Sequence, residues 1–224
     1  MSRRAGKVQG AIAIFGGTFD PIHSGHIAVA EAAARRFGLR QIYFVPSSRP
    51  PHKNRQELAP FWDRYAMVAL ACWKKKHFVL SLEEAPRESA GAQVFYSVDT
   101  VARFRRKHPR QSIYFIAGAD SFLEIGTWKS SRELLDSCDF IIANRPGVPI
   151  ETLRGAIPEE MLGKKSFAGA KSLALRKSTV HLLTTVASRI SSTEIRRRCK
   201  RGLPIRGLVP AAVEEYIHKQ ALYR

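Results

Sequence analysis

The chain has 224 residues, 45% of them hydrophobic and 25% charged, a composition that can close a buried core and that excludes disorder, low complexity and a small disulfide scaffold. Its three cysteines, Cys72, Cys138 and Cys199, are odd in number and far apart, so a disulfide framework and a Cys-x-x-Cys metal site are both excluded and a reducing, cytoplasmic setting is expected. The net charge of +18 attracts polyanions without choosing among phosphate-bearing small molecules, RNA and anionic membranes.

From the N-terminus, residues 1–9 read as a basic extension ahead of a single domain over 10–224. With the apolar run 11–15 the extension mimics a signal peptide, but five residues are too few for an apolar h-region, and Gly16, Gly17 and Thr18 lead into Phe19 rather than a cleavage site. No apolar run approaches the roughly 20 residues that span a bilayer. A strand is expected over 11–15, then a helix over 27–37 that stops at Gly38, a strand over 41–45, a helix over 61–73 and a strand over 78–82. The pattern continues with a helix over 98–107, a strand over 112–117, a helix over 121–135 and a strand over 140–143. Between 145 and 180 it weakens: Pro146, Gly147, Pro149 and Pro158 punctuate short helical pieces, and a Lys- and Gly-containing stretch follows. That segment reads as a connection or lid. A strand over 180–184, a helix over 192–200 and a helix over 210–220, opened by proline, complete the chain. Strands alternating with helices make βαβ units, so the expected fold is α/β: a doubly wound, Rossmann-like parallel sheet with a C-terminal helical segment. Basic residues collect over 103–110, 164–177 and 196–206; without a zinc-finger or RNP-type motif they read as solvated faces.

Ligands on such sheets bind beyond the carboxyl ends of the strands. The first strand runs into Gly16, Gly17, Thr18, Phe19, Asp20, Pro21, Ile22, His23, Ser24, Gly25 and His26, and a helix follows. The glycines admit a ligand to the backbone, and free N–H groups at a helix start attract phosphate. His23 and His26 are three apart, so both can face one anion and, as imidazolium, donate to its oxygens. The plain alternative is a pair of capping or surface histidines, and a zinc site would need a third close ligand. Near the other end Ile190, Ser191, Ser192, Thr193, Glu194, Ile195 and Arg196 make a second strand-to-helix junction. An N-cap explains one hydroxyl there, whereas three in a row with Arg196 suit a phosphate cradle. Neither a P-loop nor a Gly-x-Gly-x-x-Gly is present, which disfavours ATPases of that class and dinucleotide oxidoreductases.

This ordered set, Gly-Gly-Thr-Phe-Asp-Pro-x-His-x-Gly-His with Ile-Ser-Ser-Thr-x-Ile-Arg, resembles the nucleotidyltransferase superfamily and, within it, the bacterial nicotinate-nucleotide adenylyltransferases. The Pro-Pro-His-Lys loop ending at Lys53, the Tyr96 to Thr100 segment, Gly118 to Ser121 with Trp128, Arg145 to Gly147, Leu208 to Pro210 and Tyr216 to Ile217 are similar too, so the resemblance runs from Gly16 to Ile217. The basic N-terminus, Ser47 with Ser48 in place of a small residue and glycine, and the length of 146–179 depart from it.

The resemblance implies a nucleotidyltransferase-type fold and the reaction of ATP with nicotinate mononucleotide to give deamido-NAD and pyrophosphate in NAD biosynthesis. His23, His26 and Arg196 are the implied catalytic residues. Gly16, Gly17, Thr18, Phe19, Gly118, Asp120, Ser191, Ser192 and Thr193 would bind ATP. Lys53, Tyr96, Thr100, Trp128 and Arg145 would bind the mononucleotide, with Trp128 stacking on the pyridine. Mg2+ would arrive with ATP, held by phosphates and water rather than by a protein metal site. The implied partners are the two substrates, with no specific nucleic acid and no membrane; a homo-oligomer is left open. Structural alternatives exist for Trp128 as a core aromatic, Asp120 as a helix cap, and Asp99 and Arg145 as scaffold. The rival readings are a nicotinamide-mononucleotide or phosphopantetheine adenylyltransferase, a cytidylyltransferase, and an RNA-binding protein on the same fold.

Overall fold

The computed structural model describes residues 10–48, 58–86, 94–143, 150–163, 171–184 and 190–224. Seven strands form one sheet: β1 (Ala11–Gly17), β2 (Leu39–Pro46), β3 (Phe78–Leu80), β4 (Ser112–Gly118), β5 (Asp139–Ala143), β6 (Ser172–Ala174) and β7 (Thr179–Leu183), in the order β3-β2-β1-β4-β5-β7-β6. Every pairing is parallel except β6 with β7. The strand order reverses between β1 and β4, the crossing point of a doubly wound sheet.

Central strands of such a sheet are covered on both faces and carry apolar residues in both directions. Along β1, Ile12 and Ile14 pack into one layer with α3 (Ser97–Lys107) and α5 (Ser131–Ser137). Ala13 and Phe15 pack into the other with α1 (Ser24–Phe37), α2 (Phe61–Cys72), α7 (Ser192–Lys200) and α8 (Ala211–Lys219). α1 ends at Gly38, whose left-handed backbone (φ 59°) lets its N–H reach the Ala34 carbonyl, with Arg35 and Arg36 on the negative end of the helix.

Three expectations change. The helix expected over 121–135 is broken into α4 (Ala119–Phe122), a single 3-10 turn over Ile125–Thr127, and α5; Ser130 adopts φ 50°, which no continuous helix admits. The 145–180 connection contributes α6 (Ile150–Gly155) and the antiparallel edge strand β6, so part of it belongs to the sheet. Finally, α1 starts three residues earlier than expected, at Ser24, because His23 is its N-cap. No described helix is long and apolar enough to cross a membrane. Residues 1–9, Lys53 and Arg145 lie outside the described residues.

Candidate active site

At the crossing point, a cleft of about 740 Å³ opens beyond the carboxyl ends of β1 and β4. Such a volume suits a small-molecule ligand rather than a buried water. Gly16, Gly17 and Thr18 form its floor, His23, Gly25 and His26 the start of α1, Ile190, Ser191 and Ser192 the start of α7, and Gly118 to Ser121 the end of β4 and the start of α4. The fold thus brings the two motifs into one cavity.

Phe19 is a correction. Its backbone is left-handed (φ 50°), and its buried ring folds under the loop, edge-on to Phe15 and His26 at 5.6 and 5.1 Å between centroids. A Cβ on Gly17 would lie 3.0 Å from that ring, so the glycine is what allows Phe19 to support the floor from below.

The imidazoles of His23 and His26 stack with centroids 3.6 Å apart. The His23 backbone N–H donates to His26 Nδ1 at 3.2 Å. An accepting Nδ1 puts the His26 proton on Nε2. Burial pushes the His23 pKa down from 6.5 to about 4. Burial thus disfavours the expected imidazolium form of His23.

The start of α7 is tied to the same loop. Ser191 caps the helix by accepting from the Glu194 N–H at 3.2 Å, and Ser192 Oγ donates to the Pro21 carbonyl at 3.0 Å. Arg196 Nη1 donates to the Asp20 carbonyl at 2.8 Å and stands 3.5 Å from Asp20 Oδ2. Arg196 and the exposed Thr193 are not part of the cleft wall.

Opposite lies an aromatic wall. Tyr96 and Trp128 line it, with Trp128 edge-on to Phe115 at 6.0 Å. The 3-10 turn that breaks the expected helix delivers Trp128, in extended conformation, to this position. Thr100 is the second correction: it is buried behind the wall, donating to Glu84 Oε1 at 2.7 Å and accepting from Arg103 at 3.0 Å. Asp120 lines the mouth.

Several residues here carry no sequence signal. Glu84 is buried in the wall, and its burial raises its pKa above the ordinary value. Lys129 lines the cleft with its ammonium 4.3 Å from the Tyr96 ring centroid and 3.7 Å from Asp99 Oδ2. Beneath the loop, the buried Arg64 donates to the carbonyls of Thr18, Ser47 and Ala59 at 2.7, 2.8 and 3.1 Å. Nothing local in the sequence marks these residues, whose partners are set by tertiary packing. Among the described residues, no three His, Cys, Asp or Glu side chains converge to hold a metal, so the zinc alternative gains no third ligand.

The cytidylyltransferase-like family matches residues 14–198 of the chain. A probable nicotinate-nucleotide adenylyltransferase of Moorella thermoacetica is 44% identical over 216 residues, covering 96% of this chain and 92% of its own. One of Pelobacter propionicus is 40% identical over 214 residues, covering 95% and 97%. Among solved structures, Plasmodium falciparum nicotinic acid mononucleotide adenylyltransferase complexed with NaAD superposes with a TM-score of 0.70 at 22% identity, covering 96% of this chain and 97% of that one. At that identity the likeness speaks for the fold.

Proposed function

Because the chain belongs to the nicotinate-nucleotide adenylyltransferase family, within the cytidylyltransferase-like nucleotidyltransferases, we propose that it transfers the adenylyl group of ATP to nicotinate mononucleotide in NAD biosynthesis. One observation carries this reading to the atomic level. Both phosphate-binding junctions, the starts of α1 and α7, open into the same cleft as the aromatic wall of Tyr96 and Trp128.

In the proposed reaction a 5′-phosphate oxygen of the mononucleotide attacks the α-phosphorus of ATP. The new P–O bond forms in line as the bond to the bridging oxygen breaks, and pyrophosphate leaves with that bonding pair. A phosphate monoester is already nucleophilic, so positioning and charge stabilisation carry the rate. His26 donates from Nε2 to the transferring phosphate. Ser191, Ser192 and the amides at the start of α7 hold the leaving phosphates. Gly118 and Asp120 receive the adenosine end, and Trp128 stacks on the pyridine. Mg2+ would be carried on the phosphates and would supply charge neutralisation there; the carboxylates on the wall are Glu84, Asp120 and Glu124, and no protein cage is present among the described residues.

The acid should be preferred to the amide. Lys129 puts a cation beside the aromatic wall, where the acceptor-only carboxylate of nicotinate can pair with it. An amide can offer only a neutral carbonyl oxygen to the same donor, a weaker partner for an ammonium than a carboxylate. The test is pyrophosphate release from ATP and magnesium against nicotinate mononucleotide, nicotinamide mononucleotide and phosphopantetheine. Nicotinate mononucleotide should lead nicotinamide mononucleotide by at least about tenfold in kcat/KM. Equal use of the two defeats the specificity, and preference for phosphopantetheine defeats the substrate assignment.

A further inference from the structure

We propose that the phenol of Tyr223 is a positioning group for the adenylyl transfer: through the Asp20 carboxylate it fixes Arg196 and the loop that carries His23. The inference rests on the reading above for the reaction it serves.

Asp20 is 1% exposed, directly after the floor of the cleft. Its Oδ1 accepts two hydrogen bonds, from Tyr223 Oη at 2.7 Å and from the Ala59 N–H at 3.1 Å. Those two donors hold the carboxylate plane, which leaves Oδ2 toward Arg196 Nη1 at 3.5 Å, while the Asp20 carbonyl takes the direct bond from the same nitrogen at 2.8 Å. The Asp20 to Pro21 segment is therefore bonded on one side to α7, through Arg196 and Ser192, and on the other to the C-terminal tail.

Two features mark the Tyr223 contact as more than filling. A half-buried ring can pack without a hydroxyl, and this hydroxyl meets a buried carboxylate that stands 3.5 Å from an arginine. Moreover Ala221 and Tyr223 both adopt left-handed backbones (φ 51° and 62°), which non-glycine residues hold only where surrounding contacts impose them. The tail's course is the one that brings this phenol to Asp20.

The consequence is a division of charge. With Oδ1 occupied, Asp20 engages Arg196 through one weak carboxylate contact and a backbone carbonyl, and the guanidinium, behind the cleft wall, ties the Asp20 to Pro21 segment to α7. Without the phenol only the Ala59 N–H holds Oδ1, so the carboxylate can turn toward Arg196 as a two-pronged partner and shift the loop that carries His23 relative to α7.

The decisive experiment is a kinetic cycle with Tyr223→Phe and Arg196→Ala. Tyr223→Phe should lower kcat about tenfold while the KM for the mononucleotide moves by less than about twofold. In the Arg196→Ala background the same substitution should cost less than about twofold more, because the group it positions is gone. Unchanged kcat in Tyr223→Phe, or losses that multiply in the double variant, overturn the proposal. A second measurement needs neither variant nor turnover: in the wild-type chain, amide exchange over 220–224 should slow several-fold on saturation with ATP and magnesium and stay unchanged with mononucleotide alone. No effect of ATP there overturns it as well. A wild-type chain inactive on every mononucleotide overturns the reaction above instead, and the exchange measurement still decides this one.

Discussion

His26 can donate only through Nε2, because its Nδ1 is already accepting the His23 N–H. A neutral ring so fixed is a preorganised donor for charge that develops on the transferring phosphate. His26→Ala should therefore lower kcat by on the order of 10² to 10³ with a smaller change in either KM, read by steady-state pyrophosphate release; a variant keeping half its turnover refutes the role. His23 differs, because burial holds its pKa near 4 against 6.5 in an exposed ring. The unfolded chain thus binds a proton that the folded chain refuses, so this group's contribution is intact above pH 6.5 and is lost as pH falls from 6.5 toward 4. The loss reaches about 2 kcal/mol near pH 5, and a His23→Asn variant should lose correspondingly less on that pH change in urea unfolding. At this scale the sequence was informative where chemistry is local. Gly16, Gly17, His23, His26 and Ser191 announce themselves within short spans and all line the cleft. Arg64, Asp20 and Tyr223 were silent as a group, because apart from the Ala59 carbonyl, 5 positions from Arg64, their partners lie between 17 and 203 positions away. Phe19 and Thr100 belong to legible motifs, yet their side chains support the cleft from behind.

α1 shows how an element aims a site. Its first-turn Ser24 N–H bonds the Leu208 carbonyl at 2.9 Å, so the start of the helix is anchored to the segment before α8. Its far end depends on Gly38, where an added Cβ meets no atom within 4 Å and backbone strain alone is at stake. Gly38→Ala should cost about 1 kcal/mol in denaturant unfolding and leave substrate KM values unchanged; a loss several times larger would mean that the turn is rebuilt rather than strained. The long strands were legible because their apolar runs are continuous, as a sheet covered on both faces requires. β6 was not, since of its three residues only Leu173 is buried. The expected 121–135 helix failed for a related reason: Phe122, Ile125, Leu134 and Leu135 are all buried, so apolar spacing persists through a segment whose backbone breaks. Periodicity reports burial, and burial does not require one helix.

Over the whole molecule, the charge of +18 reappears as exposed basic turns, Arg105 to Lys107 at the end of α3 and Arg197 and Lys200 on α7. Part of it is compensated locally, by Glu83 under Lys107 and Arg103 and by Glu194 beside Arg197 and Arg198. What remains should bind nucleic acid without sequence preference, falling about 10²-fold between about 50 and 200 mM salt if about four phosphates are contacted. Fluorescence anisotropy with unrelated RNAs checks this, and selective binding that survives the higher salt would instead favour the RNA-binding reading. The bond between Asp20 and Tyr223 joins positions 203 residues apart, and this gives the molecule a direction in time. A chain emerging from the ribosome presents β1 and its loop at the outset, and domains begin to fold from that end while synthesis continues. The loop nevertheless waits for Tyr223, 203 positions further on, before the second hydrogen bond to its carboxylate can form. A nascent chain that has not yet reached Tyr223 has the cleft floor without this hydrogen bond, so the hold on the loop is a late event of synthesis.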